Sequence, residues 1–307
     1  MYKLITQIIQ WLTSRVAVIY VILFIFCISF VDLKMLDMRI KVRHLNNAIP
    51  DFSALINFSR DPKEVNGLNW VSYKKYFELI LSYIPNDLII KHLLGYVDYY
   101  MGQEQEAIAL FKSSSSMNGQ GFFWSNYNLG VLYYKKGMWS QAAESLFKAV
   151  SSNTKLTVIL IQDATVYKQI FNSPAFKYSL KDELDDAQSN TYILLLSSLF
   201  NLKQYEKVIL ISNIGIANQS LTKKDAFYYY AGLSYLEIGQ FEKAFLLLQK
   251  SIAIEKDNPD PYYYIANIYE KAGQLQQSQE FLQVSYALHQ KHDPRFPYDA
   301  SVNLQFF

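Results

Sequence analysis

Between Phe123 and Asn153 the apolar and polar positions fall into two blocks with a helical period, separated by a glycine: FWSNYNLGVLYYKKG and then MWSQAAESLFKAVSSN. In the first block Leu129 and Tyr133 are four apart. In the second, Ala142, Leu146 and Ala149 stand at i, i+4 and i+7, so each block predicts a helix with an apolar stripe facing the other. Gly130 and Ala142 carry almost no side chain, which lets two antiparallel backbones approach closely. Gly137 takes a positive φ without a Cβ clash and marks the turn. The pattern predicts a helical hairpin.

The hairpin recurs. Gly67, Gly102 and Gly137 are spaced by 35 residues and Gly239 and Gly273 by 34, while Gly137 and Gly239 are 102 apart, three times 34. Two further units are therefore expected between them, with turns near 171 and 205. Asn172-Ser173-Pro174, where Ser173 caps a helix that Pro174 begins, and Asn201-Leu202-Lys203-Gln204 supply those turns. Residues 51–84 hold a degenerate copy, in which Tyr73, Phe77 and Ile80 ahead of Pro85 read as a second helix. Residues 155–187 keep only the length, the turn and an apolar periodicity.

The positions that recur, Leu129-Gly130, Tyr133, Gly137, Ala142 and Ala149, have the spacings of a tetratricopeptide (TPR) unit, and this stretch closely resembles one. Leu94-Gly95, Gly102, Ala107 and Phe111 match the same pattern, although Asp98 stands where the tyrosine belongs. Gly232, Tyr235, Gly239, Phe241 and Ala244 match again. So do Ala266, Tyr269 and Gly273, with Ser278 in place of the small alanine. The unit around 189–217 departs further, with Leu196 at the glycine position. The resemblance implies an all-α chain in which a TPR-like α-solenoid of about six to seven helical hairpins spans residues 51–289. Each unit buries its neighbour's face.

Ahead of the repeats, Val16 to Val31 is an uncharged apolar run, VAVIYVILFIFCISFV, bounded by Arg15 and Asp32. It is short for a hydrocarbon core of roughly 30 Å, but Trp11, Arg15 and Lys34 can reach the interfaces. A cleaved signal peptide is the rival reading. Asp32-Leu33-Lys34-Met35 is not a small-x-small cleavage site, and Phe24-Ile25-Phe26 ahead of Cys27 do not suit a lipoprotein signal, so an uncleaved transmembrane anchor is expected. Leu4, Ile5, Ile8, Ile9 and Leu12 predict either an amphipathic helix in the interface or an extension of the span. The expected organisation is an anchor over 1–33, a juxtamembrane linker over 34–50, the solenoid over 51–289 and a tail over 290–307. Met35, Ile40, Val42 and Leu45 leave open whether the linker is a rigid helix or a tether. Phe306 and Phe307 either fold back on the last helix or belong to a disordered tail. Lys34, Arg39, Lys41 and Arg43 after the span favour a cytoplasmic solenoid, whereas bacterial TPR proteins with such anchors often carry their repeats outside the inner membrane.

Composition adds exclusions. The 307 residues carry 29 Lys+Arg against 27 Asp+Glu, a net charge of +2, so no global field draws nucleic acid. Cys27 is the one cysteine, which rules out a disulfide framework and a cysteine-based metal site. No glycine-rich phosphate loop, GxSxG or HExxH occurs. His289 and His292 are three apart but have no third ligand nearby. An enzyme, a cofactor and a metal are not expected.

The 25 tyrosines and 20 phenylalanines remain. Many must be core, since Tyr228-Tyr229-Tyr230 and Tyr262-Tyr263-Tyr264 cannot all point one way. In a TPR stack the first helices line a concave groove, and the register places Tyr96, Tyr99, Tyr100, Trp124, Tyr127, Val131, Tyr134, Tyr229, Leu233, Tyr263 and Asn267 there. This apolar wall lacks the Lys/Arg/Asn set that clamps a C-terminal carboxylate in some TPR grooves. The resemblance implies a membrane-anchored adaptor that binds a peptide or helix of another protein in an aromatic groove. A structural subunit of a bacterial envelope machine for secretion, pilus or polysaccharide assembly is the alternative. An RNA-binding helical repeat is disfavoured, because almost no Lys or Arg lines the groove.

Overall fold

A computed structural model describes Tyr20 and residues 33–38, 40–41, 68–117, 120–152 and 180–291. Eleven helices are found among them: α1 (Trp70–Tyr83), α2 (Leu88–Tyr100), α3 (Glu104–Ser113), α4 (Phe123–Lys135), α5 (Trp139–Val150), α6 (Leu180–Asn201), α7 (Tyr205–Ala217), α8 (Lys224–Glu237), α9 (Phe241–Ile254), α10 (Pro259–Lys271) and α11 (Leu275–Lys291). From α2 onward they pair into five antiparallel hairpins, α2/α3 through α10/α11, each packed on the next. The chain folds as a TPR-like solenoid.

Local chemistry explains the helix starts. The side chains of Asn69 and Asp87 accept the N–H groups of Ser72 and Ile90, while Asn258 accepts that of Asp260 with Pro259 as the first helical residue. The ends follow one rule. Gly102, Gly137, Gly239 and Gly273 all have φ between 68° and 80°. At each, the glycine N–H bonds the carbonyl three residues back and the next N–H bonds the carbonyl five back, as in Gly137 to Tyr134 and Met138 to Tyr133, both at 2.9 Å. The expected turn near 205 obeys the same rule without a glycine. Lys203 adopts φ 57°, its N–H bonds Phe200, and Gln204 bonds Leu199.

Close packing within hairpins rests on the small residues. A Cβ on Gly130 would lie 2.5 Å from Leu146, so α4 and α5 touch backbone to side chain. Buried Ser251 and Ser285, 34 residues apart, each donate a hydrogen bond to the carbonyl that opens the partner helix, Asp225 at 2.9 Å and Pro259 at 3.0 Å. Lys224 joins neighbouring hairpins by donating to the carbonyls of Gly215, Ile216 and Asn218 at the end of α7. A cation there satisfies the last turn's orphan acceptors.

The all-α expectation is met, with one small antiparallel ribbon, β1 (Ser116–Met117) with β2 (Gln120–Gly121), between α3 and α4. It forms where the serine run after α3 stops the helix. The carbonyl of Ser115 then accepts both the Phe122 N–H and the Asn126 side chain, turning the chain into α4. Among the described residues α5 packs directly on α6, and the hydroxyls of Tyr134 and Ser197 lie 2.8 Å apart across that junction. Residues 153–179, with most of the expected unit over 155–187, lie outside the described residues. Helix α6 already begins at Leu180, since nothing between Leu180 and Asn201 breaks a helix.

Apart from Tyr20, the run 16–31 lies outside the described residues, as do Gly67, the turn near 171 and the tail after Lys291. Among the described residues no helix is long and apolar enough to cross a membrane. Residues 33–38 and 40–41 of the linker are helical and lie against the end of α1. Met38 is buried, and Asp37 and Lys41 pair at 2.8 Å, each also hydrogen-bonded to the Tyr83 hydroxyl. Those bonds hold the Asp37 carboxyl below the usual carboxylate range, with Lys41 the largest cause.

Candidate protein-interaction groove

The first helices of the hairpins, α2, α4, α6, α8 and α10, run side by side, and the residues assigned to the groove separate into four groups. On α2, Tyr96 is buried while Tyr99 and Tyr100 are half-buried, and the three rings meet: Tyr96 and Tyr99 have centroids 4.8 and 5.2 Å from that of Tyr100. Trp70 from α1 stacks on Tyr100 at 5.3 Å and 8°. On α4, Trp124, Tyr127 and Val131 are buried. Phe123 stands edge-on to Trp124 at 4.9 Å and parallel to Tyr127 at 6.1 Å. Tyr134 is half-buried and belongs to the junction with α6, through Ser197 and an edge contact to Trp139 at 5.1 Å.

On α8, Tyr229 and Leu233 are buried. Tyr229 reaches the next hairpin, with its ring 6.1 Å from Tyr264 and its hydroxyl donating to Asp260 at 3.4 Å. On α10 the surface opens. Tyr263 is 45% exposed and Asn267 half-buried. Tyr127, Tyr229 and Tyr263 each stand ten residues before their turn glycine, so one repeat position runs from 1% and 3% exposure to 45%.

Burial also sets the titration of the rings. It pushes the hydroxyls of Tyr76 and Tyr100 up to about 12, and raises Tyr264, with Asp260 adding to the effect. A tyrosine whose folded value is raised above its unfolded value of about 10 contributes stability that is complete below pH 10 and is lost as the pH climbs through 12. The melting temperature is expected to fall steeply between pH 10 and 12, together with a late rise in tyrosinate absorbance. The double variant Tyr76→Phe/Tyr100→Phe should lose less over the same interval. Equal losses would show that these hydroxyls ionise without cost.

Some polar residues gain roles the sequence did not signal. Asp98, where the repeat pattern has a tyrosine, is buried and pairs at 2.7 Å with Lys74 of α1, which also donates to Gln103 at 2.6 Å. Burial pushes the Asp98 carboxyl up, with the Lys74 ammonium pulling against it. His92 is fully buried, its Nδ1 3.1 Å from the Ser125 hydroxyl, which lies 2.8 Å from that of Ser114, so a polar chain links α2, α3 and α4. His289 lies 3.8 Å from Asp260, and His292 is outside the described residues. Among the described residues no three His, Cys, Asp or Glu side chains are grouped to hold a metal.

The arrangement is a TPR-like solenoid, and a TPR-repeat family model matches residues 232–273, from the second half of α8 through α9 and α10 to the turn at Gly273. Among solved structures the chain is similar to MamA, at 20% identity and a TM-score of 0.48, covering 64% of this chain and 95% of that one. A second is MamA from Desulfovibrio magneticus RS-1, at 13% identity and 0.48, covering 67% and 98%. A third is YrrB, described as a TPR protein with an unusual peptide-binding site, at 12% identity and 0.49, covering 71% and 95%. No curated protein matches the chain in sequence.

Proposed function

We propose that the chain is a membrane-anchored TPR adaptor that docks an apolar or aromatic peptide segment or helix of a partner protein in its concave groove during assembly of a membrane-associated complex. The observation that carries this reading is the aromatic run along the first helices, which ends in the exposed ring of Tyr263 on α10. Tyrosine supplies large contact area at low entropic cost and keeps a polar tip for hydrogen bonding. Residues 16–31 are the anchor, by their sequence alone, and the bacterial inner membrane is the expected location. No catalysis and no cofactor belong to this reading.

Phe147 on α5, Leu210 on α7 and Leu246 on α9 are 57%, 62% and 58% exposed on the second helices. They favour a second reading, in which other subunits of an envelope assembly cover that face permanently.

The test is photo-crosslinking in cells from a probe amino acid in place of Tyr263, with the adduct identified by mass spectrometry. A discrete adduct with another protein is expected, and it would report the compartment as well. Absence of any such adduct, while probes at Leu210 or Leu246 give one, would overturn the groove reading in favour of the second.

A further inference from the structure

Residues 33–38 and 40–41, ahead of the solenoid, are helical and present two different faces. Met38 is buried, and beside it the Asp37 carboxylate and the Lys41 ammonium meet the Tyr83 hydroxyl at the end of α1, at 2.5 and 2.9 Å. This face is turned to the solenoid. Leu33, Leu36 and Ile40 are instead 63%, 52% and 48% exposed. At 3.6 residues per turn these three side chains fall within about 60° of one another, on the side of the helix away from Met38. The solenoid does not cover this apolar strip, and leaving it in water is costly.

We propose that this strip lies in the interfacial layer of the lipid bilayer, with its helix along the membrane surface; this rests on the reading of residues 16–31 as the anchor. Continuity is the first argument. Leu33 stands two residues after Val31, so the strip begins at the surface where that run ends. A helix along the bilayer normal would carry Ile40 about 14 Å past Val31, clear of a head-group layer of about 6 Å. Lying along the surface, it holds Leu33, Leu36 and Ile40 at one depth. Charge is the second argument. Residues 32–43 carry Lys34, Arg39, Lys41 and Arg43 against Asp32 and Asp37, four cations to two carboxylates, which suits a surface rich in anionic lipid. Size is the third, because three side chains fall far short of the roughly 800 Å² per partner of a stable protein interface. The contacts of Asp37 and Lys41 with Tyr83 then tie the first end of the solenoid to the bilayer, while Tyr263 stands near the other end.

The test uses the full-length chain reconstituted in vesicles of equal parts phosphatidylcholine and phosphatidylglycerol. A nitroxide spin label is placed at Leu36→Cys or Ile40→Cys in a Cys27→Ser background, and its collisions with oxygen, which partitions into lipid, are compared with those of a water-soluble nickel chelate. Gln277→Cys on the exposed side of α11 is the aqueous reference. An oxygen-to-nickel ratio several-fold above that reference is expected at both Leu36 and Ile40. An aqueous ratio at either position overturns the proposal. Low collision with both reagents also overturns it, because protein, such as a second copy, then covers the strip. The same label on native Cys27, within the apolar run, tests the anchor separately. Lipid contact at Cys27 with an aqueous strip defeats this inference and leaves the anchor standing, whereas an aqueous Cys27 with the strip in lipid defeats the anchor and leaves the surface helix.

Discussion

Gly215→Ala is expected to lower the unfolding free energy by about 3 kcal/mol, the upper part of the range for inserting a carbon into a packed core. Gly215 lies in α7 against the first helix of the next hairpin. A Cβ at this position would stand 2.1 Å from the ring of Phe227, which is fully buried and meets Tyr192 edge-on at 6.0 Å. Moving a fully buried ring would displace the side chains packed around it. Helix α7 must instead withdraw from α8, which also pulls the Gly215 carbonyl away from the Lys224 ammonium 2.6 Å away. The measurement is the urea midpoint at an unchanged slope, so that the shift reports stability rather than a change in the denatured state. A loss below about 1 kcal/mol would mean that α7 and α8 are further apart than described here.

Tyr127→Ala is expected to cost about 4 kcal/mol, as for a large aromatic removed from a core. The ring is 1% exposed and lies parallel to Phe123 in the most completely covered helix of the stack. Tyr263→Ala, at the same repeat position but 45% exposed, should change stability by no more than about 0.5 kcal/mol. Thermal melts of the two variants side by side decide the matter. Similar losses would mean that the groove is equally covered, or equally open, at α4 and α10. The contrast also governs how binding data are read. Any loss of partner binding in a Tyr127 variant has to be corrected for unfolding, whereas a loss in a Tyr263 variant reports the surface.

The hairpins were legible because their signals are local. A glycine at the required spacing dictates the left-handed turn, and an i, i+4, i+7 stripe dictates which face is covered. Even the turn near 205 was placed correctly without its glycine, since Lys203 closes the same pair of hydrogen bonds. What escaped depends on partners distant in sequence. Asp98 reads as a failed match to the repeat until Lys74, 24 residues earlier, is found beside it. His92 gives no sign that Ser125 and Ser114 complete a buried chain. Gly215 lies outside the repeat pattern and is required only because Phe227 comes from the next hairpin. The groove positions followed from repeat register, but register does not report burial. Tyr127 and Tyr263 occupy one position in the repeat and differ almost completely in exposure. The arithmetic of 34-residue spacings also implied a unit between the turns at Gly137 and Lys203; most of it lies outside the described residues, and among those described α5 packs directly on α6.

The direct seating of α5 on α6 bears on how the molecule comes apart. In a linear array each unit is stabilised by its interfaces with the units before and after, and cooperativity is transmitted only across those interfaces. A long interruption in the sequence would ordinarily be the weak link, dividing the array into two blocks that melt separately. Here the interface survives the interruption, with Tyr134 and Ser197 bonded across it. The covalent path and the mechanical path therefore diverge. The hairpins on either side are expected to unfold as one column.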